Sequence, residues 1–169
     1  MSGDSQEKLD ERVLILAPTG RDAELTARFL SDAGLNPRAC EGVEQLCREM
    51  EEGAGLLFLT EEALPPEAVP RLTGALARQP AWSDIPLLIL TSGGAVTPAA
   101  AGALSVLGEA GNVTLVERPV RVSTLTSAVR SALRARRHQY EVREHLAAER
   151  RAGEERQRSA ELLGELLAR

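Results

Sequence analysis

Val13-Leu14-Ile15-Leu16, followed at once by Ala17-Pro18-Thr19-Gly20-Arg21-Asp22, is an apolar run of strand length that ends in a turn into a helix. No polar residue alternates within the run, which is what a strand needs when helices cover both faces of a parallel sheet. Three runs of the same kind follow, at Leu56-Leu57-Phe58-Leu59, Leu87-Leu88-Ile89-Leu90 and Val113-Thr114-Leu115-Val116, and a weaker one lies at Arg38-Ala39-Cys40. Between them stand segments of helical period. Asp22 to Ala33 places Leu25, Phe29 and Leu30 on one side and stops at Gly34, which suits a C-cap. Val43 to Glu52 repeats the pattern with Val43, Leu46, Cys47 and Met50 before Gly53. Pro66 to Arg78 and the Ala-rich Pro98 to Glu109 supply the third and fourth helices. Strict alternation predicts an α/β fold, a doubly wound (βα)5 parallel sheet of order 2-1-3-4-5 with the first strand central.

The fifth helix does not stop where the fold needs it to. From Val122 to Arg169 there is no proline, and only Gly153 and Gly164 interrupt good helix formers. Unbroken, such a helix is roughly 70 Å long. A 3.5-residue walk through Leu125, Ala128, Ala132, Val142, Leu146, Ala160, Leu163 and Leu167 is apolar at both ends, with Glu149, Gly153 and Arg156 in its middle. This predicts a parallel homodimeric coiled coil with a weak centre. A solvated single helix carrying i,i+4 pairs is the alternative. The expected division is a disordered N-terminus over 1–11, a globular domain over 12–135 and a signalling and dimerisation helix over 136–169.

Composition narrows the function classes. The chain has 169 residues and a net charge of −5, so no whole-molecule charge favours nucleic acid or anionic membrane. No run is long enough to span a bilayer and the polar start is no signal peptide, so a cytoplasmic location is expected. Cys40 and Cys47 lack metal-ligand or redox spacing and read as core residues. His138 and His145 lie about 10 Å apart by helix rise, too far to share a metal. Thr19 or Asp22 reads as a helix cap, and Thr91-Ser92-Gly93-Gly94 as a loop able to offer backbone amides. The single Trp82 reads as an anchor before the fourth strand. No nucleophile-and-base constellation, metal site or cofactor motif is visible, so no enzymatic activity and no cofactor are expected.

Thr91-Ser92 at the end of the fourth strand, Arg118-Pro119 at the end of the fifth and Pro65 after the third, set on the five-fold alternation, carry a resemblance. Residues 12 to about 135 resemble the receiver domain of two-component response regulators, a flavodoxin-like fold. The resemblance implies a pocket at the strand ends. In an active receiver, two acids after strand one and an aspartate after strand three hold Mg²⁺ and accept phosphate; a hydroxyl after strand four and a lysine after strand five grip the phosphoryl group. Here Ala17 and Pro18 stand at the acidic pair, and neither can ligate a hard cation. The acceptor position falls on Glu61, or on Thr60 with a one-residue shift. Thr91 matches the hydroxyl, and Arg118 replaces the lysine with a planar fork. Glu61 is expected either to pair with Arg118 and imitate a phosphoryl group, or, with Glu62, to serve as an exposed acid at a helix start.

The longer match, through Leu133-Arg134-Ala135-Arg136-Arg137-His138-Gln139-Tyr140-Glu141-Val142-Arg143, is similar to the degenerate pseudo-receivers at the N-termini of bacterial sensor histidine kinases. It implies a non-phosphorylatable module that dimerises through its C-terminal helix and relays contacts to a histidine kinase or sensory module, in cis or in trans. No phosphoacceptor-histidine motif is present, so a fragment of a longer kinase or a stand-alone adaptor is expected. The alternative is an antiterminator-like RNA-binding regulator using Arg130, Arg134, Arg136, Arg137, Arg143, Arg150, Arg151, Arg156 and Arg158. Interleaved glutamates and an aromatic content of 2% argue against nucleic acid.

Overall fold

The computed structural model describes residues 2–169, with the Ser2 side chain and Met1 outside the description. The order is α1 (Ser2–Asp10), β1 (Arg12–Leu16), α2 (Gly20–Asp32), β2 (Asn36–Ala39), α3 (Val43–Glu52) and β3 (Leu56–Thr60). It continues through a 3₁₀ turn (Glu61–Ala63), α4 (Ala68–Ala77), β4 (Pro86–Thr91), α5 (Pro98–Ala110), β5 (Asn112–Glu117) and α6 (Val122–Leu167). All strand pairs are parallel, and the sheet order is β2-β1-β3-β4-β5. This is the doubly wound architecture predicted from the strand-helix alternation.

The pleat divides the apolar runs between two cores. Leu14, Leu57, Leu59, Leu87 and Ile89 pack on one face against Leu46 and Met50 of α3, Leu72 and Leu76 of α4, and Leu107 of α5. Val13, Ile15, Leu56, Phe58 and Leu88 pack on the other against Ala23 and Leu30 of α2 and Leu125 and Val129 of α6. Every residue of β1 and β3 is buried, which is why those strands carry no polar alternation. Thr19 caps α2 by accepting from the Asp22 amide at 3.2 Å, and Gly34 follows that helix at a left-handed φ of 80°. Burial pushes the Cys40 thiol up to about 11, with the Glu49 charge adding to the effect.

Three sequence expectations are corrected. Residues 2–10, expected to be disordered, form α1, held by polar contacts that leave no apolar period in the sequence. The expected domain boundary after residue 135 falls too early, because Arg136 and Tyr140 are buried against the body. Leu125, Ala128 and Ala132, assigned to a dimer seam, instead pack into the core beside α2, because this stretch of α6 is what closes that face of the sheet. Val142, Leu146, Leu163 and Leu167 lie on the exposed part of the helix, as does Ala160. Among the described residues no helix is long and apolar enough to cross a membrane.

Candidate functional site

The C-terminal ends of the strands bring the predicted pocket residues to one edge of the sheet, where ligands bind in folds of this class. Ala17 and Pro18 leave β1 there, Thr60 and Glu61 leave β3, Thr91 and Ser92 leave β4, and Arg118 follows β5. The Arg118-Pro119 peptide is cis. The Arg118 amide donates to the Thr91 carbonyl at 2.9 Å, and its Nε reaches the same oxygen at 3.5 Å, so β5 is tied to the end of β4. Gly93 is required beside it, since a Cβ there would collide with the Arg118 carbonyl oxygen.

The acids at this edge pair differently from the expectation. Glu61 Oε1 accepts from the Ser92 amide at 2.7 Å and from the Ser92 hydroxyl. Arg118 pairs with Glu62. The reason is topological: β4 lies between β3 and β5, so the first donor that Glu61 meets is the free amide of Ser92, and the guanidinium is left to the next acid in the 3₁₀ turn. The hydroxyl used is also that of Ser92, not Thr91, because Thr91 is buried in register opposite Glu117 while Ser92 opens the loop. Glu61 Oε2 and the Thr60 hydroxyl are buried without a hydrogen-bond partner. A cavity of about 300 Å³ adjoins Glu61, Glu62 and Ser92. Among the described residues no three His, Cys, Asp or Glu side chains converge as metal ligands would. With Ala17 and Pro18 at the end of β1, the donor set here does not fit a hard divalent cation.

A second cluster, at the opposite edge, was not singled out from the sequence. Arg136 is 4% exposed and hydrogen-bonds only neutral groups: Nε to the Ala54 carbonyl at 3.1 Å, NH1 to Ser83 Oγ and Gln139 Oε1 at 2.8 and 2.6 Å, and NH2 to the Tyr140 hydroxyl at 3.3 Å. Its charge lies over aromatic faces, 4.5 Å from the Tyr140 centroid and 5.4 Å from that of Trp82. Burial lowers the Arg136 pKa from its ordinary value, and Tyr140 works against that shift. The same burial raises the Tyr140 phenol. Tyr140 donates to the Ala54 carbonyl at 2.7 Å. Arg143 sits 4.4 Å from the same tyrosine ring and donates to Asp10 Oδ2 at 2.8 Å. Its pKa is raised: burial opposes its charge, but the Asp10 carboxylate outweighs burial.

The backbone beneath this cluster is built for close approach. Gly53 has φ 140°, and a Cβ there would stand 2.8 Å from Asp10 Oδ1. At Gly55 a Cβ would collide with the Leu133 side chain. Arg12 reaches the Gly53 carbonyl through NH2 at 2.8 Å and pairs with Glu49 at 2.5 Å. Burial works against the Glu49 charge, but hydrogen bonds from Arg12 and Arg38 win and lower its pKa. Trp82, expected as an anchor before the fourth strand, packs against Tyr140 and the two arginines of α6. The available sequence signals were the Gly53-Ala54-Gly55 spacing and the i,i+4 pair of Arg136 with Tyr140.

No protein-family model matches this sequence, and no curated protein matches it. Solved structures do match the fold. NtrX from Brucella abortus superposes with a TM-score of 0.59 at 19% identity over 79% of this chain, which spans 28% of the NtrX chain. A CheY-like response regulator receiver domain protein from Methanospirillum hungatei gives 0.58 at 15% identity, covering 76% of this chain and 98% of that one. The signal receiver domain of a signal transduction histidine kinase from Syntrophus aciditrophicus gives 0.58 at 21%, covering 74% and 91%. The chain has the fold of a response regulator receiver domain, extended by the second half of α6.

Proposed function

We propose that this chain is a non-phosphorylatable receiver-like signalling module that works by protein contact and not by catalysis. The observation that carries the reading is the fate of the acids at the strand ends. Ala17 and Pro18 replace the pair that would hold Mg²⁺, and Oε1 of Glu61 accepts from both the amide and the hydroxyl of Ser92. Glutamate at this place ties the loop after β4 to the end of β3, the role a phosphoryl group would otherwise perform. Output passes through α6 to a second copy of the chain and onward to a histidine kinase or sensory module; the receiver domain from a histidine kinase among the structural matches supports that context. Against the RNA-binding alternative, Arg130, Arg136, Arg137 and Arg143 are committed to partners within the chain.

The test is incubation with a small-molecule phosphodonor and Mg²⁺, followed by intact mass. No phosphoryl adduct is expected, and no Mg²⁺-dependent change in Trp82 fluorescence. A stoichiometric adduct on any aspartate or glutamate would refute the reading.

A further inference from the structure

α1 is poorly suited to stay in place by hydrophobic burial. Leu9 is its one large apolar side chain, and most of its residues are exposed. A cleft of about 520 Å³ separates it from α6, lined by Leu35, Leu133 and Tyr140. Its tethers are polar and reach three elements. Gln6 donates to the Glu52 carbonyl at 3.2 Å at the end of α3, and Asn36 of β2 donates to the Lys8 carbonyl at 2.9 Å. Asp10, 7% exposed, accepts from Gln6 on one oxygen and from Arg143 on the other.

The Asp10 contact holds the last anchored point of α6. Beyond Arg143, the hydrogen bonds and ion pairs found among the described residues stay within the helix itself. Arg136 and Arg143 lie over the same tyrosine ring, and Asp10 is the carboxylate that offsets the two guanidiniums. Without it, two like charges would face each other at low dielectric. Arg143 has another arrangement within reach, since its Nε and NH2 already touch the exposed carboxylate of Glu144 at 3.1 and 2.9 Å.

We infer that α1 is a detachable polar strap whose Asp10 fixes where α6 leaves the body. Displacing α1 turns Arg143 out toward Glu144 and frees residues 141–147 of α6, while the Arg136 and Tyr140 contacts to Ala54 and the sheet stay in place. Because α6 is one continuous helix, its free half then begins about one turn earlier and gains mobility. This inference goes beyond the contact-module reading and holds whether or not two chains associate.

The test uses the full chain with Asp10→Asn, an isosteric change that keeps the Gln6 contact and removes the charge. Amide exchange of residues 141–147 should accelerate about tenfold, the size expected for losing a buried charge-assisted hydrogen bond. Strands β1, β3 and β4 should exchange at the wild-type rate, and the emission of Trp82 should shift to the red. Coupling is reciprocal, so Arg143→Gln should in turn speed exchange in residues 2–10. Unchanged exchange at 141–147 in Asp10→Asn, unchanged exchange at 2–10 in Arg143→Gln, or equal acceleration throughout the sheet would each overturn the strap.

Discussion

The two edges of the sheet hold their arginines in opposite ways. At the C-terminal edge the Arg118 side chain is 40% exposed and meets Glu62 in reach of solvent. At the N-terminal edge Arg136 is buried, meets no carboxylate directly, and is held by neutral acceptors and two aromatic rings. The first arrangement adapts to whatever approaches it. The second is a packed joint that fastens α6 to the starts of β3 and β4. In this chain, where β1 runs out into Ala17 and Pro18, the firm connection lies at the opposite edge, where the long helix departs.

Substitution at the two arginines should separate the edges most strongly. Arg136→Ala leaves the Ala54 carbonyl without one of its donors and removes the guanidinium that lies over the Trp82 and Tyr140 rings, so denaturant unfolding should show a loss of about 3 kcal/mol. The comparison breaks if that loss is no larger than the one from Arg118→Ala.

Glu49 sharpens the picture at the same edge, because it holds Arg12, which in turn holds the Gly53 carbonyl. Its folded pKa lies below the unfolded value of about 4.3, so its contribution is fully present above that pH and is lost as pH falls through the folded value. Glu49→Gln should cost about 1–2 kcal/mol at pH 7 and progressively less below about pH 4, read from denaturation midpoints across pH. A cost independent of pH would assign Glu49 a packing role only.

The smallest effect belongs to Arg118→Ala. A half-exposed ion pair contributes at most about 1 kcal/mol, so its denaturation midpoint should stay close to wild type and rise little at low salt.

Much of the fold was legible because β1, β3 and β4 are buried on both faces and their sequences are apolar without alternation. The strand-end positions followed from the same runs. What spacing did not carry was direction: adjacent acids in a 3₁₀ turn point to different strands, so Arg118 meets Glu62, while Glu61, expected to pair with it, turns to Ser92. Arg136 is one arginine in a basic row, set apart locally only by Tyr140 four residues on; the rest of its environment comes from residues 54 and 82–84, far away in sequence. Leu125, Ala128 and Ala132 fit the heptad walk and the core stripe equally, because a helix lying on a sheet and one lying on a helix ask for nearly the same period. α1 escaped notice because polar contacts and not apolar burial hold it in place.

In the function we propose, the free half of α6, and not the strand-end pocket, is the working surface. Val142, Leu146, Leu163 and Leu167 are exposed at heptad spacing on a helix that has left the body, and Leu167 is 87% exposed. Sedimentation velocity of the full chain beside Leu163→Asp/Leu167→Asp tests this most directly. A dimer is expected for the natural sequence and a shift to monomer for the double variant, since charges placed in the seam oppose helix pairing. A natural chain that sediments as a monomer, or a double variant that remains fully dimeric, would contradict it.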